Sequence, residues 1–418
     1  MAIQKQFNLS QQQQDAADQV EQWFKNKKSH KENPIFRLFG YAGTGKTTIT
    51  KSIVDQLGLK MGEEVLFAAF MGKAAMVMRR NQLPASTIHA LIYQVVVPDE
   101  KEVQALRDQM NNGYLNDSER GRLRQELREA SRPRFQLRTK SGSGLKNAKL
   151  LVLDECSMVN EEMLKDLLTF DVPLLVMGDP GQLPPIEGKS PLTDVKPDVM
   201  LTEVHRQAKD NPILHIATCV RQGDRMPQGQ LGSSRVIRKY DLTRKAMLSF
   251  DQILVGKNAT RREINTKMRN IQGFEGTYPQ VGEKLICLRN SPDNGLFNGM
   301  ICYVEDVGSH DKISFLLTIR KETDDPNTPP ITVRALQAHF DMYRDENAMD
   351  HIKLGDRLAV DEFDFGYAIT VHKSQGSQWD NVCLVDDGMF DGWGKPGDRA
   401  RFLYTGVTRA AESITVAN

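Results

Sequence analysis

A glycine-rich loop between an apolar run and a helix-like stretch is the feature that most constrains the fold. The loop reads Gly40-Tyr-Ala-Gly-Thr-Gly-Lys-Thr47, fits the pattern G-x-x-x-x-G-K-[ST], and follows the apolar run Ile35-Phe-Arg-Leu-Phe39. An apolar run that leads into such a loop is typical of a buried strand in an α/β domain with a parallel sheet. A chance glycine turn is the alternative interpretation.

The residue types in the loop suit a nucleoside triphosphate. Gly43 and Gly45 let the backbone curl so that its N–H groups point at phosphate oxygens, and a helix that starts near Lys46 adds the positive end of its dipole. We expect Lys46 to reach the β- and γ-phosphates and Thr47 to offer its hydroxyl to Mg²⁺. The residues of this loop predicted to hold the nucleotide are Gly43, Thr44, Gly45, Lys46, Thr47 and Thr48.

Two later apolar runs end in polar residues that suit hydrolysis. Leu150-Leu-Val-Leu153 precedes Asp154 and Glu155, and Pro173-Leu-Leu-Val-Met-Gly178 precedes a turn that contains Gln182. We predict that Asp154 holds Mg²⁺ through water, that Glu155 orients or deprotonates the attacking water, and that Gln182 senses the γ-phosphate. An Asp-Glu pair at a strand end also occurs by chance, and the prolines near Gln182 can simply stiffen a loop.

Gln13 and the segment Ala85-Ser-Thr-Ile-His89 supply further candidate ligands. Ser10 and Gln13 fit a helix N-cap with a glutamine at the third helical position, and the same Gln13 amide can read the edge of adenine. Thr87 and His89 can contact phosphate or sugar. The other interpretation of His89 is a buried histidine of the core.

Composition sets the class of protein. The chain has 418 residues, of which 39% are hydrophobic and 26% are charged, and no apolar run approaches the roughly 18–20 residues of a membrane span. The N-terminus lacks a signal-peptide pattern, and the five cysteines show no C-x-x-C spacing. We therefore expect a globular protein of about two to four domains in a reducing cytoplasm, without structural zinc.

Residues 93–147 interrupt the alternation of strands and helices and are predicted to form an inserted subdomain. The stretch 120–149 contains ten Lys or Arg residues against two Glu, although the net charge of the whole chain is +1. Such a block can follow a phosphate backbone or can be a solvated helix face, and charge alone leaves both open. Phe135 and Leu137 alternate with polar residues, and we expect the turn Ser141-Gly-Ser-Gly144 to close a small hairpin around them.

The order of these motifs resembles that of superfamily 1 DNA helicases, most closely the RecD-like and phage Dda-like branch. In the first half, motif I corresponds to Gly40–Thr47, the Thr-Ile-His motif to Ala85–His89, the Walker B motif to Asp154-Glu-Cys-Ser-Met, and motif III to Gly178-Asp-Pro-Gly-Gln-Leu-Pro-Pro. In the second half, motif IV corresponds to Leu201-Thr-Glu-Val-His-Arg206-Gln, motif V to Thr370-Val-His-Lys-Ser-Gln-Gly-Ser, and motif VI to Tyr404-Thr-Gly-Val-Thr-Arg409.

The resemblance implies roles for residues of the second half. Arg206 and Arg409 are expected to reach the γ-phosphate when a cleft closes around ATP, and a local ion pair of each arginine is the alternative. The remaining implied nucleotide contacts are Gly376 and Gln378, and the implied DNA contacts are Thr87, His89, Asn258, His372 and Lys373. The chain differs from the common pattern of this family at two places. Phe70-Met71 stands where the family commonly has Pro-Thr, and Gln378 stands where it commonly has an acidic residue.

Phe135 is a candidate DNA contact by its own chemistry. It lies between Arg134 and Arg138 near the predicted turn, and an aromatic ring in that setting can stack on the terminal base pair of a duplex. A ring that merely packs the core of the subdomain is the alternative. Phe135 is therefore our candidate for the wedge that separates the strands.

The predicted fold is α/β, with two RecA-like parallel-sheet domains in tandem and an insertion in each. The run Gln252-Ile-Leu-Val255 suits an early strand of the second domain, and strands near residues 285, 300, 313 and 331 suggest a small barrel, which is SH3-like in relatives of this family. The predicted bounds are 1–92 and 148–203 for the first domain, 93–147 for its insertion, 204–275 and 355–418 for the second domain, and 276–354 for the β-rich insertion.

Together with the resemblance, these features predict a helicase that uses ATP and Mg²⁺ to move on single-stranded DNA and to open duplexes and junctions, and the resemblance implies that the movement is 5′→3′. We expect it to act as a monomer in the cytoplasm, in a host cell if it is phage-encoded, and replication or recombination proteins are candidate partners. A DNA-stimulated ATPase that acts as a regulatory switch is the main alternative. A nucleotide kinase fits motif I but leaves the second half of the chain unexplained.

Overall fold

The computed structural model describes residues 9–96, 99–111, 115–130, 134–184, 190–203, 211–325, 327–345, 347–390 and 396–418. None of the helices in these ranges is both long and apolar enough to cross a bilayer. The helices up to residue 203 are α1 (Gln11–Lys25), α2 (Lys27–Glu32), α3 (Lys46–Leu57), α4 (Gly72–Arg80), α5 (Ile88–Ile92), α6 (Glu100–Asn111), α7 (Asp117–Ala130) and α8 (Glu161–Leu168). The strands are β1 (Ile35–Gly40), β2 (Val65–Ala69), β3 (Ala85–Thr87), β4 (Tyr93–Val96), β5 (Arg134–Leu137), β6 (Leu150–Asp154), β7 (Leu174–Gly178) and β8 (Val199–Leu201).

From residue 211 onward the chain again alternates between helices and strands. The helices are α9 (Pro212–Gln222), α10 (Arg244–Met247), α11 (Asn258–Ile271), α12 (Ala338–Asp341), α13 (Leu354–Leu358), α14 (Val371–Ser374) and α15 (Asp398–Val407). The strands are β9 (Gly229–Leu231), β10 (Ser234–Ile237), β11 (Gln252–Val255), β12 (Lys284–Cys287), β13 (Ile301–His310), β14 (Ser314–Lys321), β15 (Ile331–Leu336), β16 (Phe363–Phe365), β17 (Ala368–Thr370), β18 (Trp379–Val385) and β19 (Ala410–Ala417).

The first sheet carries the glycine-rich loop. Its order is β3-β2-β6-β7-β1-β8, and every neighbouring pair is parallel. Along β1, Phe36 and Leu38 share a core with α1 and α3, whereas Ile35 and Phe39 share a core with α8. Because both faces of the strand are covered, its sequence is a continuous apolar run, and the predicted α/β class is confirmed.

A two-stranded hairpin follows α5, and α6 and α7 form the long connection between its strands. Val95 of β4 lies opposite Phe135 of β5. The strand predicted around Phe135 is confirmed as β5, but the predicted turn that closes the hairpin is wrong. Residues 141–144 fold back to α5, where the Gly144 N–H donates to the Leu91 carbonyl at 3.2 Å. The true partner strand was missed because it lies beyond two helices in the sequence.

The second sheet has the order β17-β11-β18-β19-β10-β9 and is parallel except for the edge pair β9 and β10. Helices α9 and α15 share a core with one face, through residues such as Ile216 and Phe402. Helix α11 covers the other face through Ile264 and Met268. The strand predicted from Gln252 is confirmed as β11, and the chain thus contains a second α/β unit.

The third sheet is antiparallel, with the order β15-β14-β13-β12-β16. Four of its strands coincide with the segments predicted near residues 285, 300, 313 and 331. The fifth strand, β16, extends the sheet beyond residue 354, where the predicted β-rich insertion ends. A bridge between Ala335 and Asp361 brings the two edges of the sheet toward each other.

Candidate active site

The predicted nucleotide-binding residues meet at the carboxyl edge of the first sheet. Strand β1 ends at Gly40, β6 ends at Asp154, and β7 ends at Gly178. Since β6, β7 and β1 are consecutive strands of the sheet, the glycine-rich loop, the carboxylates and the turn that contains Gln182 lie side by side. Ligands of open α/β sheets bind at this edge.

The glycine-rich loop has the backbone that phosphate binding requires. Gly43 and Gly45 have φ of 79° and 78°, which favours glycine over residues with a side chain. Helix α3 begins at Lys46, and its N-cap residue Gly45 offers no side-chain oxygen to the first N–H groups, which suits the binding of an anion. In this structure the Lys46 ammonium donates to the carbonyls of Gly40 and Tyr41, at 2.6 and 3.2 Å. The Thr47 side chain is exposed at the mouth of the loop.

Gln13 is buried and connects α1 to the glycine-rich loop. The predicted capping arrangement is confirmed: the Gln13 N–H donates to the Ser10 hydroxyl at 3.3 Å, and the Ser10 N–H donates to the Gln13 side-chain oxygen at 3.0 Å. The Gln13 amide nitrogen also donates to the Thr44 carbonyl at 3.0 Å. The side chain thus lies against the loop, and its contact with adenine stays a prediction.

Asp154 and Glu155 form a strained acidic pair at the end of β6. Glu155 has a φ of 51°, a left-handed conformation that is unfavourable for a residue with a side chain and is often found at functional sites. Burial, and then the neighbouring charge of Glu155, raise the pKa of Asp154 to about 6, although the Glu155 N–H and Lys46 oppose the shift. A cation placed beside this pair would relieve the repulsion, so the pair fits a site for Mg²⁺.

Gln182 lies in the turn after β7 and is 7% exposed. Its backbone N–H donates to the Asp179 carbonyl at 3.1 Å. Within the described ranges, its side-chain oxygen has no hydrogen-bond partner. A buried acceptor without a partner costs about 1–3 kcal/mol, so this oxygen is suited to a ligand or a water molecule in the cleft. The residues at this edge therefore fit a magnesium nucleotide.

Side chains from two helices that pack on the second sheet contact this edge directly. The Tyr404 hydroxyl of α15 donates to Asp179 at 2.7 Å and accepts from the Ala42 N–H of the glycine-rich loop at 3.0 Å. The Arg221 guanidinium at the end of α9 lies 3.9 Å from the centre of the Tyr41 ring. No role was predicted for Asp179 or Tyr404 from the sequence. Only their positions within the segments that resemble motifs III and VI pointed to them.

Of the two predicted arginine contacts, Arg206 lies outside the described residues. Arg409 is buried, and its guanidinium donates to the carbonyls of Thr405 and Ser377 and to the Thr408 hydroxyl, at 3.1, 3.2 and 3.2 Å. In the part of the chain that the structure describes, Arg409 has no ion pair with a carboxylate, which is the alternative considered above. Its contact with the γ-phosphate stays a prediction.

The other two predicted nucleotide contacts of the second half lie near Arg409. Gly376 has a φ of 70°, and a Cβ there would lie 2.8 Å from the Cβ of Ala74, so the two halves of the chain approach closely at this glycine. Gln378 is exposed, and its amide nitrogen lies 3.5 Å from the Ala410 carbonyl. The contacts of Gly376 and Gln378 with the nucleotide stay predictions.

The predicted DNA contacts Thr87 and His89 lie at the start of α5, and the His89 ring packs beside three aromatic rings. The Thr87 hydroxyl caps α5 by accepting from the Ala90 N–H at 3.2 Å. The ring centre of His89 lies 5.7 Å from Phe70, 5.4 Å from Tyr93 and 5.1 Å from Phe135. Burial lowers the pKa of His89, so the ring is neutral at pH 7 and suits stacking better than pairing with a phosphate charge. Phe135 is 54% exposed, which argues against a role confined to a core.

The remaining predicted DNA contacts lie at the carboxyl edge of the second sheet. Asn258 opens α11 and is exposed, and its side-chain oxygen accepts from the Arg261 guanidinium at 3.3 Å. His372 and Lys373 lie on α14, directly after β17, and burial lowers the pKa of both side chains. Their contact with DNA stays a prediction.

Comparisons with known proteins agree with this geometry. The model of the family described as AAA domain matches residues 8–239, and that of the UvrD-like helicase C-terminal domain matches residues 365–417. The chain is 25% identical to the ATP-dependent RecD2 DNA helicase of Deinococcus radiodurans over 408 residues, which cover 90% of this chain and 46% of that protein. It is 27% identical to the ATP-dependent DNA helicase dda of Enterobacteria phage T4 over 228 residues, which cover 52% of this chain and 43% of that protein. The chain thus spans about half the length of these relatives.

Solved structures share the architecture at low sequence identity. The Pif1 helicase from Candida albicans superposes with a TM-score of 0.53 and 17% identity, covering 99% of this chain and 94% of that chain. A Pif1 helicase from a study of DNA unwinding at forked duplexes superposes with a TM-score of 0.52 and 17% identity, covering 98% of this chain and 92% of that one. At this identity the likeness shows the fold alone.

Proposed function

The chain belongs to the AAA domain family, and from that premise we propose that it hydrolyses ATP in order to move along single-stranded DNA and to separate duplexes. The observation that carries the proposal is the cleft in which Tyr404 of the second half contacts both the glycine-rich loop and Asp179. A site shared between two α/β units can couple hydrolysis to relative motion of the units. The helicase family match over residues 365–417 and the similarity to helicases over most of the chain support this choice.

The chemistry follows from the residues at the edge of the first sheet. The N–H groups of the loop and Lys46 bind the phosphates of ATP, while Thr47 and Asp154 hold Mg²⁺. When bound, Mg²⁺ supplies positive charge that offsets the charge of the phosphate oxygens. Glu155 orients the attacking water and accepts its proton, and Gln182 contacts the same water through the side-chain oxygen that has no partner among the described residues.

Residues of the second half complete the nucleotide site. Arg206 and Arg409 approach the γ-phosphate when the cleft closes, and Gly376 and Gln378 contribute further nucleotide contacts. Arg409 is already held by two backbone carbonyls and a hydroxyl, so it is oriented before the nucleotide arrives. A preoriented guanidinium loses less conformational entropy when it meets a phosphate.

Single-stranded DNA crosses the carboxyl edges of both sheets in this proposal. Thr87 and His89 contact it on the first sheet, and Asn258, His372 and Lys373 contact it on the second. Movement is 5′→3′, as the resemblance to the RecD-like and Dda-like branch implies. Phe135 meets the duplex at the end of the exposed hairpin and acts as the wedge.

The third sheet is proposed to be an SH3-like barrel inserted in the second RecA-like domain. The bridge between Ala335 and Asp361, next to β16, supports closure of this sheet. The protein is proposed to act as a monomer in the cytoplasm, with replication or recombination proteins as partners.

An ATPase assay with and without single-stranded DNA, combined with a strand-separation assay on tailed duplexes, tests the proposed function. We expect DNA to stimulate ATP turnover and ATP to be required for strand separation. Turnover that DNA does not change would contradict the proposal and favour a small-substrate phosphotransferase. Stimulated turnover without strand separation would favour the regulatory ATPase.

A further inference from the structure

We propose that Tyr404, Thr405 and Gln375 are positioning residues for hydrolysis, because they hold the loop that presents Gln182 to the nucleotide. This loop, residues 179–183, is here called the Gln182 loop. The inference rests on the proposed function and adds to it a way by which the second half of the chain controls a group of the first half.

Three hydrogen bonds from the second half reach the two ends of the Gln182 loop. At one end, the Tyr404 hydroxyl donates to Asp179 at 2.7 Å. At the other end, the Leu183 N–H donates to the Thr405 hydroxyl at 2.8 Å, and the Leu183 carbonyl accepts from the Gln375 amide at 3.1 Å. The Asp179 carboxylate before Gln182 and the Leu183 backbone after it are therefore held by groups from α15 and from the end of α14.

These contacts are shielded from water. Tyr404, Thr405 and Gln375 are 2%, 0% and 1% exposed, and Asp179 is 2% exposed. Burial raises the pKa of Tyr404, so its hydroxyl stays protonated and can donate. Loss of a buried partner leaves a polar group without a hydrogen bond, so these contacts constrain the loop more strongly than exposed ones would.

The Tyr404 ring also shapes the middle of the loop. A Cβ built on Gly181 would lie 2.9 Å from a carbon of this ring, so a side chain at that position would displace the tyrosine. The same Tyr404 hydroxyl accepts from the Ala42 N–H of the glycine-rich loop at 3.0 Å. One side chain thus contacts the phosphate-binding loop and the Gln182 loop together.

The hydrogen bonding of the Gln182 side-chain oxygen differs from that of the ends of its loop. The oxygen has no partner among the described residues, whereas Asp179 and Leu183 are held by groups from the second half. A shift of α15 relative to the first sheet would therefore move Gln182 with respect to Lys46. In this way the closure of the cleft sets the position of Gln182 at the time of hydrolysis.

A kinetic double-mutant cycle of Tyr404→Phe and Gln182→Ala tests the inference. Tyr404→Phe keeps the ring and removes only the hydroxyl, and we expect kcat for ATP to fall about tenfold while KM changes much less, since one buried hydrogen bond is lost. If Tyr404 acts through Gln182, Tyr404→Phe should lower kcat less than about twofold in the Gln182→Ala background. Equal effects in both backgrounds would overturn the inference.

Thr405 provides a second test with a conservative rescue. Thr405→Val removes the acceptor of the Leu183 N–H and should lower kcat, whereas Thr405→Ser keeps a hydroxyl and should retain the kcat of the wild type. Tyr343→Phe is the matched control, because the Tyr343 hydroxyl donates to Asp364 at 2.9 Å, a pair formed within the second half. We expect this control to leave kcat unchanged, and an equal loss of kcat in Tyr343→Phe would overturn the inference.

The same data separate this inference from the proposed function. The cycle is measured on ATP turnover, both without and with single-stranded DNA. A non-additive cycle in an enzyme that DNA does not stimulate supports the positioning role and contradicts the helicase. An additive cycle in an enzyme that DNA stimulates contradicts the positioning role and supports the helicase.

Discussion

At the scale of single residues, Lys46 has no carboxylate partner among the described residues and donates only to carbonyls of its own loop. A lysine held in this way keeps its charge available for an incoming anion. The DNA contacts proposed above lie on other strand ends of the two sheets. Phosphate binding and DNA binding should therefore be separable by mutation.

Lys46→Ala is expected to abolish ATP turnover and to leave the affinity for single-stranded DNA within about twofold of the wild type, because Lys46 serves the phosphates of the nucleotide. Turnover and fluorescence anisotropy of a labelled oligonucleotide measure the two properties. Lys165→Ala is the control, since the Lys165 side chain is 73% exposed and its contact with Glu161 is a surface ion pair. A loss of DNA affinity as large as the loss of turnover would contradict this assignment.

The residues of the nucleotide site differ in how far the sequence could predict them. Asp154 and Gln182 follow apolar strands of one parallel sheet, and the periodicity of these strands is enough to place them at the same edge. The bond between Tyr404 and Asp179 joins residues that are 225 positions apart, and it depends on how two separate sheets pack. No local pattern encodes such packing, so this contact required the structure.

At the scale of secondary-structure elements, the hairpin of β4 and β5 presents an aromatic face beside the first sheet. Phe135 contacts His89 and Tyr93, with ring centres 5.1 and 6.0 Å apart, and more than half of its surface is exposed. Phe70, at the position where the resembled family commonly has proline, contacts the same His89. The sequence predicted the alternation of β5 but could not predict these ring contacts, which arise from the pairing with β4.

Phe135→Ala is expected to reduce strand separation severalfold and to leave DNA-stimulated ATP turnover unchanged, because stacking on a base contributes about 1–3 kcal/mol. Unwinding of a tailed duplex and ATP turnover are measured on the same preparation. Val96→Ala is the matched control, since Val96 is exposed on the same hairpin and has no aromatic ring that could stack on a base. If unwinding and turnover fall together, the wedge lies elsewhere.

The junction between the third sheet and its neighbouring helices depends on one buried carboxylate. Glu362 is 2% exposed and accepts from His339 of α12 at 2.7 Å, from Arg357 of α13 at 2.7 and 2.9 Å, and from Arg289 at 3.1 Å. Burial opposes ionisation of Glu362, but the hydrogen bonds from His339 and Arg357 outweigh it and lower its pKa to about 2. Removal of this charge should therefore weaken the junction.

The stabilisation from Glu362 is expected to be complete above about pH 4.5 and to be lost as the pH falls toward about 2, since the pKa is lower in the folded state. A pKa lowered from 4.5 to about 2 corresponds to about 3 kcal/mol. Urea unfolding at several pH values should show that the difference in unfolding free energy between wild type and Glu362→Gln shrinks with acidification. Glu305→Gln, in a more exposed pair with Arg320, should show little difference at any pH. A Glu362→Gln difference that does not depend on pH would contradict this account.

At the scale of the whole molecule, the alternation of strands and helices, together with the resemblance to a helicase family, predicted an α/β fold with more than one parallel sheet, and the first two sheets agree with that class. The sequence could not predict how the two parallel sheets face each other. That arrangement depends on contacts such as the hydrogen bond between Leu183 and Thr405 and the close approach of Gly376 to Ala74. In the proposed function, the direction of movement depends on the same arrangement.

Duplexes with a single-stranded tail on one side test the direction. We expect a 5′ tail to support ATP-dependent strand separation and a 3′ tail or a blunt end to support at most a few per cent of that rate. The physical reason is that the strand must enter the track in one orientation relative to the two sheets. Strand separation that requires a 3′ tail would contradict the 5′→3′ assignment and the branch of the family from which it derives.

The chain enters and leaves the third sheet through β12 and β16, which are hydrogen-bonded neighbours with Leu285 opposite Phe365. The buried Lys284 ammonium also donates to the Asp251 carbonyl and the Gln252 side chain, at the start of β11. The two connections between the second and third sheets are thus joined by hydrogen bonds. A joined pair of connections resists twisting better than two separate ones would. We therefore expect the third sheet to turn together with the second sheet when the second sheet rotates.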